Sequence, residues 1–98
     1  DCTAVDAPNT PADHTYTVAG KCCESGDILI EQAHLPEMKT GDLLAVHTTG
    51  AYCYSMSSNY NHLGRVPVVL AKDGRAELVI RRETAQDFVR LECQEALE

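Results

Sequence analysis

Two short stretches of the chain collect side chains able to do chemistry. The first is Cys22-Cys23-Glu24-Ser25-Gly26-Asp27, which sets two thiols beside two carboxylates around a glycine turn. The second runs from Gly50 to Asn61 and places Tyr52, Tyr54 and Tyr60 among serines and asparagines. A thiol is mostly protonated at neutral pH yet releases its proton readily, its ordinary pKa being about 8.5, so it can serve as a proton donor. A neighbouring carboxylate offers a charge-assisted partner for a cation, and a tyrosine hydroxyl can reach an anionic oxygen. Each residue also has a plainer role open to it. Cys23 could be a small buried hydrophobe, Glu24 and Asp27 turn carboxylates with Asp27 bonding the local backbone, and the tyrosines amphipathic surface aromatics. Asn59 and Asn61 could simply form turns.

The bulk properties narrow the range of partners. The chain has 98 residues, 44% hydrophobic and 23% charged, as expected of one soluble globular domain with a modest core. Its net charge of −7 leaves no clustered Lys and Arg to neutralise phosphates, so nucleic acid is not an expected partner. No apolar run approaches a membrane span, and no signal-peptide pattern is present. The five cysteines, at 2, 22, 23, 53 and 93, are odd in number and irregular in spacing, which fits reduced thiols in a cytoplasmic protein. The histidines at 14, 34, 47 and 62 stand singly, so no metal site is expected. The chain opens on Asp rather than Met, and it is expected to be a piece of a longer protein.

The elements that must position the two stretches read mainly as strands. Tyr16-Thr17-Val18-Ala19-Gly20 alternates in the manner of a half-buried strand, and Asp27-Ile28-Leu29-Ile30-Glu31 follows as a short apolar run. Residues 34–42, HLPEMKTGD, read as a loop because Pro36 breaks a strand and Thr40-Gly41-Asp42 is turn chemistry. Asp42–His47 is apolar on both faces, which predicts a strand covered on both sides. Strands over Val66–Ala71 and Ala76–Arg82 flank Lys72-Asp73-Gly74-Arg75, whose Asp-Gly pair predicts a tight hairpin. Thr84 is the expected N-cap of a short helix whose apolar face is Ala85, Phe88 and Val89, with Asp87 at its positive end. Residues 1–13, rich in proline, read as a flexible lead-in. The expected fold is all-β, a mainly antiparallel, Greek-key-like barrel or sandwich of about five or six strands with a short C-terminal helix. Residues 1–98 form a single domain on this reading, and some sheet edges should be left open.

The segment from Val18 to Asn61, VAGKCCESGDILIEQAHLPEMKTGDLLAVHTTGAYCYSMSSNYN, resembles the carboxy-terminal domain of the diaminopimelate decarboxylases, pyridoxal-phosphate enzymes of lysine biosynthesis. That family carries a C-E-S-G-D segment and, further on, a G-A-Y…S-M…N-Y-N segment. Both are present in that order, with GDLLAV between them and RRET in the tail. The resemblance implies a two-domain subunit in a homodimer, with the cofactor held on a lysine of an amino-terminal α/β barrel. A β domain of the present kind then completes the site. Matched position by position, Cys23 would be the proton donor, Glu24 a substrate-binding carboxylate, and Tyr52 a contact to both cofactor and substrate.

These residue types suit those tasks. After carbon dioxide leaves, the α-carbon must receive one proton on one face, and carboxylates beside a thiol favour its protonated form. Glu24 offers charge to the ammonium at the far end of a diamino acid. Related ornithine-type enzymes resemble Asp at this position, so Glu favours meso-2,6-diaminopimelate as substrate. Lys21, Lys39 and Lys72 look like solvated loop residues, and the Gly-rich phosphate loop, substrate arginines and second substrate tyrosine are not found here. The chain alone is therefore expected to be inactive. Two other readings stand beside this one: a paralogous decarboxylase acting on another amino acid, and a non-catalytic interaction domain of the same fold.

Overall fold

In a computed structural model of the protein, residues 1–93 are described, and they divide into two compact units, one of residues Asp1–Ser55 and one that opens at Met56. The first unit is built on two antiparallel ladders. Strand β1 (Cys2–Ala4) pairs with β4 (Leu44–Val46), and β2 (His14–Ala19) pairs with β3 (Ile28–Leu35). The second unit carries the hairpin β5 (Val68–Lys72) and β6 (Arg75–Ile80), followed by a one-turn helix α1 (Ala85–Phe88). The architecture is thus all-β and antiparallel with a minimal helix, as the strand periodicities predict.

Each strand has one partner, so the six strands form three two-stranded ladders rather than a closed barrel among the described residues. A barrel requires every strand to be paired along both edges, and here each ladder keeps two open ones. Backbone N–H and C=O groups along such edges need partners or water.

Four sequence expectations shift in the structure. Cys2–Ala4, within the stretch read as a flexible lead-in, is a strand: Thr3 stands opposite Ala45, and Ala4 is buried at 5% exposure. The Asp1 carbonyl accepts the His47 N–H and the Val5 N–H reaches the Leu43 carbonyl, so the pairing runs beyond the strand ends. Second, β3 continues through Leu35, inside the stretch read as a loop. Between the Tyr16–Ala33 and Val18–Ile30 pairs, β3 contains one residue more than β2. Across this bulge the inward positions change from Ile30, half-buried, to Ala33 and Leu35, both buried. A simple alternation of period two loses the strand at that point.

Third, β4 is only three residues long and half-buried, not covered on both sides, because its single neighbour is the equally short β1. Fourth, α1 stops after one turn and leaves Val89 50% exposed, so the expected apolar helix face is incomplete. Among the described residues the buried ones are Ala4, Ala33, Leu35 and Pro36, which makes a thin interior. Both faces of the second unit's hairpin show large apolar side chains, among them Val69, Leu70, Leu78 and Val79.

The Asp-Gly turn forms as expected. Asp73 and Gly74 have φ of 50° and 74°, the left-handed pair that a two-residue hairpin loop with native twist requires. Asp tolerates that region and Gly occupies it without penalty. In the full-length protein, Gly74→Ala places a Cβ in the left-handed region, and it is expected to cost about 1 kcal/mol and to lower the urea midpoint of the transition that reports the hairpin. An unchanged midpoint would show that the turn is not under this constraint.

Candidate active-site surface

Cys23 and Glu24 lie on the connection between β2 and β3, and a single carboxylate gives that connection its shape. Asp27 Oδ2 accepts the Cys22 N–H at 2.8 Å, its carbonyl accepts the Gly20 N–H at 2.8 Å, and its own N–H reaches the Glu24 carbonyl at 3.0 Å. Residues Ser25–Asp27 form a single 3₁₀ turn inside this closure. Gly20 is required here by space, since a Cβ at that position would run into the Asp27 carboxylate. The plain reading of Asp27, that its side chain bonds the local backbone, is therefore what the structure shows. Cys23 and Glu24 are exposed at the outside of the loop, and Cys22 is half-buried. None of the five cysteines is in a disulfide.

Tyr52 sits in the second stretch, on a turn within residues 51–56. Its φ is 68°, a left-handed conformation rare for an aromatic residue. The Ser55 hydroxyl donates to the Tyr52 carbonyl at 3.1 Å and closes the turn. The tyrosine side chain is 78% exposed. Thr48, four residues earlier, is also left-handed with φ 57°. Such residues persist only where the surroundings over-determine them, and they cluster at functional sites. Backbone strain of this kind is a signal that residue types alone do not carry.

The three predicted site residues thus all belong to the first unit, all on turns and all exposed. Two grooves of that unit, about 350 and 230 Å³, are lined by residues such as Tyr16, Leu35 and Met38 or Cys2, Ile30 and His34, and neither is lined by Cys23, Glu24 or Tyr52. Each of these three side chains is exposed on the loop that carries it. Lys21, Lys39 and Lys72 are all exposed. Among the described residues no cluster of His, Cys, Asp and Glu could hold a metal ion, and no helix is long and apolar enough to cross a membrane.

In the second unit, a polar network holds the rest of the Gly50–Asn61 stretch. Arg65 and Glu83 pair at 3.2 Å with side chains 27% and 13% exposed. Glu83 Oε1 also accepts the Arg65 N–H at 2.7 Å and the Asn59 Nδ2–H at 2.7 Å. The sequence reading gave Arg65 and Glu83 no role. They are 18 residues apart in the chain, and no local motif connects them.

The chain is similar to known proteins over most of its length. Residues 2–50 match the profile of the "Pyridoxal-dependent decarboxylase, C-terminal sheet domain". The chain belongs to that family of pyridoxal-dependent decarboxylases. It is 58% identical over 80 residues to the diaminopimelate decarboxylase of Bacillus subtilis (strain 168), covering 82% of this chain and 18% of that protein. It is 51% identical over 85 residues to that of Synechocystis sp., covering 87% of this chain and 18% of that protein. The crystal structure of the Helicobacter pylori diaminopimelate decarboxylase complexed with L-lysine superimposes with a TM-score of 0.79 at 33% identity, covering 94% of this chain and 22% of that one. The chain therefore spans about a fifth of the length of these relatives.

The hydrogen bonds from the Arg65 N–H and Asn59 hold the Glu83 carboxyl below its ordinary value of 4.5. A group lowered in the folded state contributes stability in full above its unfolded pKa and loses it as pH falls through the folded one. Acid destabilisation of the full-length protein is accordingly expected to be shallower in Glu83→Gln below pH 4.5. Chemical denaturation at a series of pH values measures this, and superimposable slopes would remove Glu83 from the account.

Proposed function

We propose that this chain is the carboxy-terminal β domain of a cytoplasmic, homodimeric diaminopimelate decarboxylase, which converts meso-2,6-diaminopimelate to L-lysine and carbon dioxide. On this reading residues 1–98 are one domain of a longer subunit and complete a site whose cofactor is held by an amino-terminal α/β barrel. The observation that carries it is the placement of Cys23 and Glu24. They stand exposed at the tip of a loop held by Asp27, in a chain 58% identical to a diaminopimelate decarboxylase.

The residues present fit one wall of a pyridoxal-phosphate site. Tyr52 extends a largely exposed phenol from a constrained turn, suited to a phosphate oxygen. No lysine of this chain is in an enclosed setting, so the covalent anchor falls to the rest of the subunit. Bound there, the cofactor supplies an electron sink for the charge left when carbon dioxide departs.

The remaining work is this chain's. The Cys23 thiol delivers a proton from Sγ to the α-carbon on the face it meets, and the fixed loop makes that delivery one-sided. Glu24, next in the chain, meets the distal ammonium of the substrate and holds the α-carbon within reach of the thiol. Apposition of a second surface over this wall would exclude water and strengthen both interactions. A domain that leaves these side chains open has no complete pocket of its own, and the chain by itself is inactive.

In the full-length protein, Cys23→Ala is expected to lower turnover of meso-2,6-diaminopimelate at least about a hundredfold, the usual scale for a positioned proton donor. Carbon dioxide release measures it. Unaltered turnover would point to a non-catalytic interaction domain, and faster turnover of ornithine or arginine by the wild type would point to a paralogue.

A further inference from the structure

We infer that Asp27 is a positioning residue for the decarboxylase site, fixing the Cys23 thiol through the main chain on either side of it, and that Gly20 clears the space its carboxylate fills. The inference rests on the function proposed above, in which Cys23 delivers the proton and Glu24 meets the substrate. All four residues belong to the first unit, on the connection between β2 and β3.

The bonds of Asp27 bracket the thiol. Its Oδ2 accepts the N–H of Cys22, the residue before Cys23, at 2.8 Å. Its own N–H donates to the carbonyl of Glu24, the residue after, at 3.0 Å. Cys23 therefore lies between two main-chain anchors that meet on one residue. The Asp27 carbonyl accepts the Gly20 N–H at 2.8 Å, which ties the bracket to the end of β2, where Ala19 pairs with Ile28. A cysteine has a single side-chain torsion between its backbone and its sulfur. Once the backbone is held, Sγ is left with a few staggered positions, so main-chain anchoring goes far towards aiming the thiol.

The two carboxylates of the loop are placed differently. A Cβ on Gly20 would overlap the Asp27 carboxylate, which its bond to Cys22 keeps from moving aside. A Cβ on Gly26 would meet the tip of Glu24 instead, and that exposed, flexible side chain can swing clear. One acid is thus built into the loop and the other projects from it, although the sequence presents them as two similar groups three residues apart. An ionised acceptor makes a short, strong bond, which suits the amide of a half-buried residue that lies outside the ladder. Asp27 on this account touches neither substrate nor cofactor and acts through Cys22 and Glu24.

The direction of proton delivery tests this. When the full-length holoenzyme turns over meso-2,6-diaminopimelate in deuterium oxide, the carbon that loses carbon dioxide gains one deuteron from the exchanged thiol, and a fixed thiol places it on one face. Asp27→Ala is expected to lower kcat about tenfold and to spread the deuteron over both faces, read by NMR of the lysine formed. Asp27→Asn keeps an oxygen acceptor for the Cys22 N–H and should stay near wild type, with the label on one face. Gly20→Ala displaces the same carboxylate and should resemble Asp27→Ala, and it carries the test alone if Asp27→Ala does not fold. Combining the two should cost little more than either. A lower kcat with the label still on one face would overturn the inference, since Asp27 would then serve the fold only. Multiplied losses in the double variant would also overturn it, since Gly20 and Asp27 would then act separately. Wild-type kcat and labelling in Asp27→Ala, with turnover lost in Cys23→Ala, would overturn the inference and leave the site reading standing. Retained turnover in Cys23→Ala would overturn the site reading itself.

Discussion

A carboxylate accepting a backbone N–H recurs at four places where this chain leaves regular structure. Asp27 takes the Cys22 N–H, Asp42 that of Lys39, Glu83 that of Arg65 and Asp87 that of Thr84, all between 2.7 and 2.8 Å. Loop amides have no ladder partner, and a buried or half-buried one left unpaired is costly. An ionised acceptor gives a short, strong bond and can serve two or three donors at once. Part of the negative charge of the chain is thus used to shape loops rather than to attract a cationic partner.

This dependence follows from the thin interior. With Ala4, Ala33, Leu35 and Pro36 as the buried residues among those described, little hydrophobic packing is available to hold a connection in place. Directional polar bonds do that work instead. They act locally, so each loop can be stiff although the sheets it joins are only two strands wide. The exposed apolar side chains of β5 and β6, and the open edges of every ladder, fit a domain that completes a larger protein. The coverage of about a fifth of the relatives' length agrees with that view.

The proposed chemistry makes similar demands. A proton donor must be mobile enough to meet substrate and fixed enough to meet one face of it. In that proposal Cys23 is an exposed side chain on a loop closed by Asp27 and by the close approach of Gly20. Tyr52 reaches the same compromise differently, through a left-handed backbone and a serine hydroxyl on its carbonyl.

Much of this was legible without coordinates, and the boundary has a physical cause. The Asp73-Gly74 hairpin and the Thr84–Asp87 helix start are local, because turn type and capping depend on neighbours within a few residues. Family membership was readable for the same reason, from two motifs in a given order. Strand β1 was not legible, since three residues become a strand only when a distant partner supplies the ladder. The end of β3 was hidden by a bulge whose extra residue is defined only against β2. The Arg65–Glu83 pair and the strained backbone of Thr48, Tyr52, Asn61 and His62 were likewise beyond sequence. Contacts between residues far apart in the chain, and conformations that only such contacts can sustain, exist once the chain has folded and not before.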